Sequence, residues 1–257
     1  NAFILKVASP VPSASHFVAR LYQEAGLPDG LFNVIAGDRN LVGDILTHPG
    51  IDAISFVGSS PVAHIVQDTG VAHGKRVQAL GGANNHAIVM PDADIEFAAQ
   101  HISAGAFGAA GQRCMALPVI VAVGGIAEKL VPAIKARAEK IVVGPGTDPA
   151  CEMGPVITRS SQQRITKWID EAEANGASVV LDGRGYKPEG EEYADGFWLG
   201  PTILDNVDRK LDIYCEEVFG PVLVVVHADT YEEAIEIVNS SPYGNGSAIF
   251  TSDGDTA

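Results

Sequence analysis

The sequence predicts an α/β fold in which a parallel β-sheet carries α-helices on both faces. Two observations lead to this prediction. Short apolar runs that are typical of strands alternate with helix-like segments from one end of the chain to the other. Such repeated strand–helix–strand units make neighbouring strands parallel, joined by right-handed crossovers. In addition, 46% of the 257 residues are hydrophobic and 19% are charged, which is the composition of a folded globular chain.

The first part of the chain is predicted to contain four strands and three helices, and we assign residues 1–82 to one domain. The strands are predicted over residues 2–7, 31–35, 53–57 and 76–80. The helices are predicted over residues 13–25, 40–46 and 60–69. Gly26 and Pro28 end the first helix, and Pro61 is a residue type favoured in the first turn of a helix.

We place a domain boundary near Gly81 and Gly82, where the pattern of predicted elements changes, and we assign residues 83–257 to a second domain. Strands are predicted over residues 86–90, 117–123, 222–227 and 248–251. Helices are predicted over residues 95–110, 127–140, 161–175 and 231–239. The stretch 182–200 is polar, glycine-rich and acidic, and we expect a surface hairpin or loop there.

Charge and cysteine content exclude several classes of protein. The 17 Lys+Arg against 32 Asp+Glu give a net charge of −15, which repels nucleic acid. No apolar run reaches the roughly 18 residues that a membrane helix requires. Three cysteines without a CxxC pair argue against a disulfide framework or a zinc site, and the seven scattered histidines suggest no other metal site.

Cys114 is the cysteine whose neighbouring residues favour a reactive thiol. It follows a segment rich in Ala and Gly and stands beside the fixed charge of Arg113, which favours the reactive thiolate. The alternative is that Cys114 is a packing residue, as free cysteines often are. Cys151 and Cys215 lack such a setting, and we interpret both as packing residues.

Gly58 and Ser59 form a second candidate site, because they link a predicted strand to the helix that opens at Ser60. Backbone N–H groups at such a turn and the positive end of the helix attract phosphate groups. The alternative is a tight turn with no ligand.

Taken together, ordered motifs across the whole chain resemble the aldehyde dehydrogenase superfamily. Residues 107–114, FGAAGQRC, are similar to its active-site cysteine signature. The other motifs, in order, are LK at 5–6, FVGS at 56–59, LGG at 80–82, EVFGP at 217–221 and YGNG at 243–246. Residues 74–87, with MPDAD at 90–94 and RCM at 113–115, are similar to its CoA-acylating methylmalonate-semialdehyde dehydrogenase branch.

This resemblance implies an aldehyde dehydrogenase-like fold. Residues 1–82 would be the second half of a Rossmann-like dinucleotide-binding domain, a partial parallel sheet, and residues 83–257 a C-terminally truncated α/β catalytic domain. It also implies oxidation of malonate or methylmalonate semialdehyde, with NAD and CoA, to acetyl- or propionyl-CoA and carbon dioxide. The reaction would pass through a cysteine thioester.

The resemblance further implies a role for each matching residue. Cys114 would attack the aldehyde, its N–H would supply half of the oxyanion hole, and Arg113 would bind the substrate carboxylate. The residues implied to bind the dinucleotide are Lys6, Ser9, Gly58, Ser59, Gly82, Glu217 and Phe219. Ser9 stands where the family often has a glutamate that grips the adenosine ribose, so the choice between NAD and NADP stays open.

The residue at position 79 bears on whether the acyl group is transferred to water or to CoA. Most hydrolytic members of the family that the sequence resembles have a glutamate there that activates water, whereas a CoA thiol needs less activation. Ala79 therefore favours acyl transfer to CoA. Two alternatives stay open: a hydrolytic NAD(P)-dependent enzyme that uses another carboxylate, and a non-catalytic chain, either truncated or a pseudoenzyme.

The chain begins on Asn1 without a Met and enters a strand-like run at once, so we expect an interior fragment covering about half of a family member. We expect this fragment alone to be inactive and poorly soluble. The resemblance implies a parent that is a homodimer or homotetramer. That parent would be cytoplasmic in a bacterium, or mitochondrial in a eukaryote with a targeting peptide upstream.

Overall fold

The computed structural model describes residues 1–257 and divides the chain into two units, Asn1–Gly82 and Ala83–Ala257. None of its helices combines the length and apolar character needed to cross a membrane. The two units share the predicted alternation of strands and helices and differ in the extent of their sheets.

Asn1–Gly82 is built from two parallel strand pairs. The first pairs β1 (Phe3–Lys6) with β2 (Phe32–Ile35), with α1 (Pro12–Glu24) between them in the chain. The second pairs β3 (Ala53–Val57) with β4 (Arg76–Leu80), with α3 (Ser60–Ala72) between them, and α2 (Arg39–Thr47) precedes this pair. The predicted elements are all present, and the four strands form two separate pairs instead of one sheet.

Ala83–Ala257 contains one six-stranded sheet. Its strands are β5 (His86–Val89), β6 (Val119–Val123), β7 (Ser178–Leu181), β8 (Thr202–Asp205), β9 (Val222–Ala228) and β10 (Ser247–Phe250). Their order in the sheet is β10-β5-β6-β9-β8-β7. Its helices are α4 (Ile95–Phe107), α5 (Ala127–Ala138), α6 (Arg159–Ala174), α7 (Asp212–Cys215) and α8 (Tyr231–Asn239). All neighbouring strands are parallel except β7 and β8.

The core of this unit covers both faces of the sheet. Along β6, Ile120 packs into one apolar cluster with α4 and α5, whereas Val119 and Val121 pack into a second cluster with α6 and α8. Successive strand residues point to opposite faces, so a strand buried on both sides is apolar at every position. This explains why the strand reads as a continuous apolar run.

The end of α4 and three short elements of this unit differ from the sequence prediction. The helix predicted over residues 95–110 ends at Phe107, because Gly108 is extended (ψ 134°) and Ala109 and Ala110 are left-handed. Strands β7 and β8 and the short helix α7 were not predicted. The polar stretch 182–200 lies between the antiparallel strands β7 and β8.

Candidate active site

Four segments meet at the amino end of four neighbouring parallel strands. The strands β10, β5, β6 and β9 are adjacent in the sheet, and His86 pairs with both Ser247 and Val119. The segments that enter them are Asn245, Asn85, residues 111–117 and residues 217–221. Since parallel strands start at the same edge, the order of the strands brings these segments together.

The segment 111–117, here called the cysteine loop, exposes the Cys114 side chain. The thiol forms no hydrogen bond, and the main-chain N–H of Cys114 donates none within the protein. Both groups are therefore free to interact with a substrate. The predicted nucleophile and its oxyanion donor thus lie on an exposed turn.

The cysteine loop is entered through a left-handed turn. Ala109, Ala110 and Gly111 have φ values of 51°, 53° and 66°. A Cβ on Gly111 would collide with the carbonyl group of Gly220 in the 217–221 turn. Only glycine allows this close approach, which fixes the loop against that turn.

Hydrogen bonds hold the two ends of the cysteine loop. The Gln112 side chain accepts from the N–H of Ile157 at 2.8 Å and donates to the carbonyl of Pro155 at 3.2 Å. The N–H of Leu117 donates to the carbonyl of Gly105 at 3.1 Å. The loop is therefore tied to α4 and to the segment before α6.

Two asparagine side chains contact the middle of the loop. Asn85 Nδ2 donates to the carbonyls of Cys114 at 2.9 Å and Ala116 at 2.6 Å. Asn245 Nδ2 donates to the same Cys114 carbonyl at 2.8 Å. Sequence reasoning did not single out either asparagine, although both lie within two residues of the start of a strand, as the ends of the cysteine loop and the 217–221 turn do.

Arg113 lies beside Cys114 with an exposed side chain. Its Nη2 donates to the carbonyl of Ala104 at 2.7 Å and so satisfies part of the carboxyl end of α4. Its Nη1 and Nε form no hydrogen bond. The guanidinium is thus anchored by one nitrogen and keeps donors for a carboxylate.

The 217–221 turn contains Glu217 and Phe219. Burial raises the pKa of Glu217, opposed by the N–H of Ala83 and the charge of Arg164. Phe219 is exposed in the left-handed region (φ 49°), a strained conformation for an aromatic residue. Arg164 Nη2 donates to the carbonyl of Val218 at 2.8 Å and supports the turn.

The predicted dinucleotide-binding residues of Asn1–Gly82 fall in two places. Gly58 and Ser59 lead from β3 into α3, and the N–H of Gly82 donates to Ser60 Oγ at 3.0 Å, next to the start of that helix. Lys6 ends β1, and Ser9 Oγ donates to the carbonyl of Gly37 at 3.4 Å.

The remaining cysteines are poorer nucleophiles. Burial raises the pKa of the Cys151 thiol most, and the negative charge of Asp148 raises it further. Burial raises the pKa of the Cys215 thiol most, and the negative charges of Asp212 and other nearby acids raise it further. Its Sγ donates to the carbonyl of Arg209 at 3.0 Å. A raised pKa reduces the thiolate fraction at neutral pH.

The chain belongs to the aldehyde dehydrogenase family, whose sequence profile matches residues 1–257. This confirms the resemblance and the α/β fold class.

Among its relatives, the mitochondrial methylmalonate-semialdehyde/malonate-semialdehyde dehydrogenase [acylating] of Bos taurus is 48% identical, over 100% of this chain and 47% of its own. The malonate-semialdehyde dehydrogenase of Pseudomonas aeruginosa is 47% identical, over 100% of this chain and 52% of its own. A solved structure of a protein from Sinorhizobium meliloti complexed with NAD superimposes with a TM-score of 0.96 at 47% identity, over 100% of this chain and 52% of that one. The chain therefore spans about half the length of these relatives.

Proposed function

We propose that this chain carries the nucleophile of a CoA-acylating semialdehyde dehydrogenase that uses NAD. The substrates would be malonate or methylmalonate semialdehyde, and the products acetyl- or propionyl-CoA and carbon dioxide. One observation carries the proposal: the exposed Cys114 thiol stands beside Arg113 on a loop held at both ends. The names of the relatives supply the substrate class.

In this reaction Cys114 Sγ attacks the aldehyde carbon and forms a thiohemiacetal. The free N–H of Cys114 donates to the oxygen that becomes negative, and this stabilises the adduct. The unpaired nitrogens of Arg113 bind the carboxylate of the semialdehyde and orient it. Loss of a hydride from that carbon, to the dinucleotide when it is bound, leaves a thioester on Cys114. The bond between the α-carbon and the substrate carboxylate then breaks, so that carbon dioxide leaves and the α-carbon takes up a proton. The CoA thiol gives up its proton and attacks the remaining acetyl or propionyl thioester, and the Cys114 thiolate leaves as acyl-CoA forms.

The residues at the start of α3 fit a dinucleotide. The side chain of the helix N-cap Ser59 forms no capping hydrogen bond, so its hydroxyl and the first N–H groups of α3 are open to an anion. We propose that Gly58, Ser59 and Gly82 hold the diphosphate and that Lys6 and Ser9 contact the adenosine ribose. Glu217 and Phe219 would contact the nicotinamide end. When bound, NAD supplies the hydride acceptor.

CoA is proposed as the acyl acceptor because no base for water is evident at the usual position. Ala79 lies in β4, paired with Phe56, and offers no carboxylate. No carboxylate forms a hydrogen bond to the Cys114 thiol either. A thiol is a better nucleophile than water and needs less help from a base.

A hydrolytic dehydrogenase is the second candidate, and Glu217 favours it. Glu217 belongs to the turn that contacts the cysteine loop through Gly220, and its pKa is raised, as suits a general base. Product analysis separates the two functions, since a hydrolytic enzyme releases free acid.

Steady-state NADH formation by the complete protein, with methylmalonate semialdehyde and CoA, tests the assignment of Cys114. We expect Cys114→Ala to lose more than about 1,000-fold in kcat, because no other group replaces the nucleophile. The matched variants Cys151→Ala and Cys215→Ala should stay within about threefold of the parent. Turnover that survives in Cys114→Ala, or a parent that oxidises no aldehyde, would overturn the proposal.

The assembly and location of the complete protein are part of the proposal. We propose a homodimer or homotetramer, which sedimentation of the complete protein tests. We also propose a mitochondrial location if the source is eukaryotic, as for the Bos taurus relative, and a cytoplasmic location if it is bacterial.

A further inference from the structure

The main-chain carbonyl of Cys114 accepts hydrogen bonds from two side-chain amides. Asn85 Nδ2 reaches it from the start of β5 at 2.9 Å, and Asn245 Nδ2 from the start of β10 at 2.8 Å. These residues lie 29 and 131 positions away from Cys114 in the chain. A carbonyl held by two donors from two strands cannot rotate without breaking both hydrogen bonds.

Asn85 is oriented entirely toward the cysteine loop. Its side chain is only 5% exposed, and Nδ2 uses both protons, on the carbonyls of Cys114 and Ala116. Its Oδ1 is buried without a hydrogen-bond partner. Turning the amide over would set Oδ1 against two carbonyl oxygens, so the donors must face the loop. The fold thus leaves one buried acceptor unpaired in order to hold this loop, a cost that usually accompanies a functional constraint.

Asn245 holds the next residue as well. Its Nδ2 also lies 3.2 Å from Met115 Sδ, so a single amide contacts two consecutive residues, the carbonyl of Cys114 and the side chain of Met115. The N–H of Ala116 donates to the carbonyl of Arg113 at 3.0 Å and closes the turn around Cys114. With the peptide groups on both sides held, the direction of the Cα–Cβ bond of Cys114 is fixed too.

We propose that Asn85 and Asn245 are positioning residues that fix the carbonyl group of Cys114 and so set the place and the Cα–Cβ direction from which its thiol reacts. This rests on the proposed function only in taking Cys114 as the nucleophile. The amide N–H groups also direct their positive ends toward the main chain of the residue that carries the thiolate. Replacing a donor by a negative oxygen should therefore disfavour the thiolate.

Asn245→Asp is the test variant, because it keeps the shape of the side chain, removes the donor and tolerates exposure. Asn239→Asp is its matched control: Asn239 is exposed at the end of α8 and its side chain forms no hydrogen bond. Asn85→Asp is less suitable, since a buried charge threatens folding.

The first readout is alkylation of Cys114 by iodoacetamide in the complete protein without NAD or aldehyde, followed by mass spectrometry of the Cys114 peptide. We expect Asn245→Asp to slow alkylation at pH 7 about tenfold and to displace its pH profile upward. Asn239→Asp should behave as the parent. Equal alkylation of both variants would overturn the proposal, and this holds even if the protein oxidises no semialdehyde.

The second readout is the division of the effect between kcat and KM, measured also for Asn245→Ala. Misplacement of the nucleophile lowers kcat by about 10- to 100-fold and leaves the KM for the aldehyde within about threefold. Both Asn245 variants should show this loss with melting temperatures close to that of Asn239→Asp. Parent-like kcat in either variant, or a loss confined to KM, would contradict a positioning role.

Discussion

At the scale of the single residue, Glu217 is proposed to contact the nicotinamide end of the dinucleotide, and the burial of its carboxyl group costs folding stability. Burial raises the pKa of its carboxyl group above the ordinary value of 4.5. The folded state therefore binds the proton more tightly than the unfolded state does. Stability is lost as the pH rises through the ordinary pKa toward the raised one, and the loss is complete above the raised pKa.

We expect Glu217→Gln to raise the melting temperature at pH 7.5, because the amide removes the cost of burying a charge. At pH 4 the difference should largely disappear, since Glu217 is then mostly protonated in both states. Glu189→Gln, in an exposed loop, serves as the control and should change neither value. Differential scanning calorimetry at the two pH values checks this, and a lower melting temperature of Glu217→Gln at pH 7.5 would contradict it.

How far the candidate site was predictable depends on the range of the contacts that build it. Cys114, Arg113, Glu217 and Phe219 belong to short motifs, so the sequence identified them as candidates. Asn85 and Asn245 also lie in segments that match the family, but they bind a main-chain carbonyl that is remote in the chain, and no local pattern reveals that partner. Only the strand order places both asparagines beside the cysteine loop.

At the scale of the element, the left-handed turn after α4 carries strain. Ala109 and Ala110 have positive φ values, which cost roughly 1–2 kcal/mol for a residue with a Cβ. Ala109 is exposed, so its methyl group gains little from packing. Strain of this kind often accompanies functional sites, and here it directs the chain from α4 into the cysteine loop.

We expect Ala109→Gly to stay within about 0.5 kcal/mol of the parent in unfolding free energy, because relief of strain offsets the added freedom of the unfolded chain. Ala136→Gly, an exposed position inside α5, should destabilise by about 1 kcal/mol. Urea denaturation of both variants checks this. A loss in Ala109→Gly as large as that in Ala136→Gly would show that the turn is unstrained.

The elements themselves were largely predictable, because their burial follows periodic patterns. The strands β3 and β4 have the predicted bounds, and so does α8. The end of α4 was misplaced because Ala109 and Ala110 are good helix formers, whereas the close approach of the next residue, Gly111, to Gly220 requires the chain to leave the helix. The short strands β7 and β8 depend on each other and on β9, which local sequence cannot show.

At the scale of the whole molecule, the order of strands builds the candidate site. Four parallel strands with a core on both faces present Asn245, Asn85, the cysteine loop and the 217–221 turn at one edge. A sheet buried on both faces is close-packed and moves little. It is therefore suited to hold a nucleophile in a fixed direction.

The most direct test of the central claim is the time course of NADH formation by the complete protein with methylmalonate semialdehyde and no CoA. If Cys114 forms a thioester that only a thiol removes efficiently, one NADH per active site should appear in a burst. Formation should then nearly stop, and adding CoA should restart it. Steady NADH formation without CoA, at the rate seen with CoA, would contradict acyl transfer to CoA and support hydrolysis.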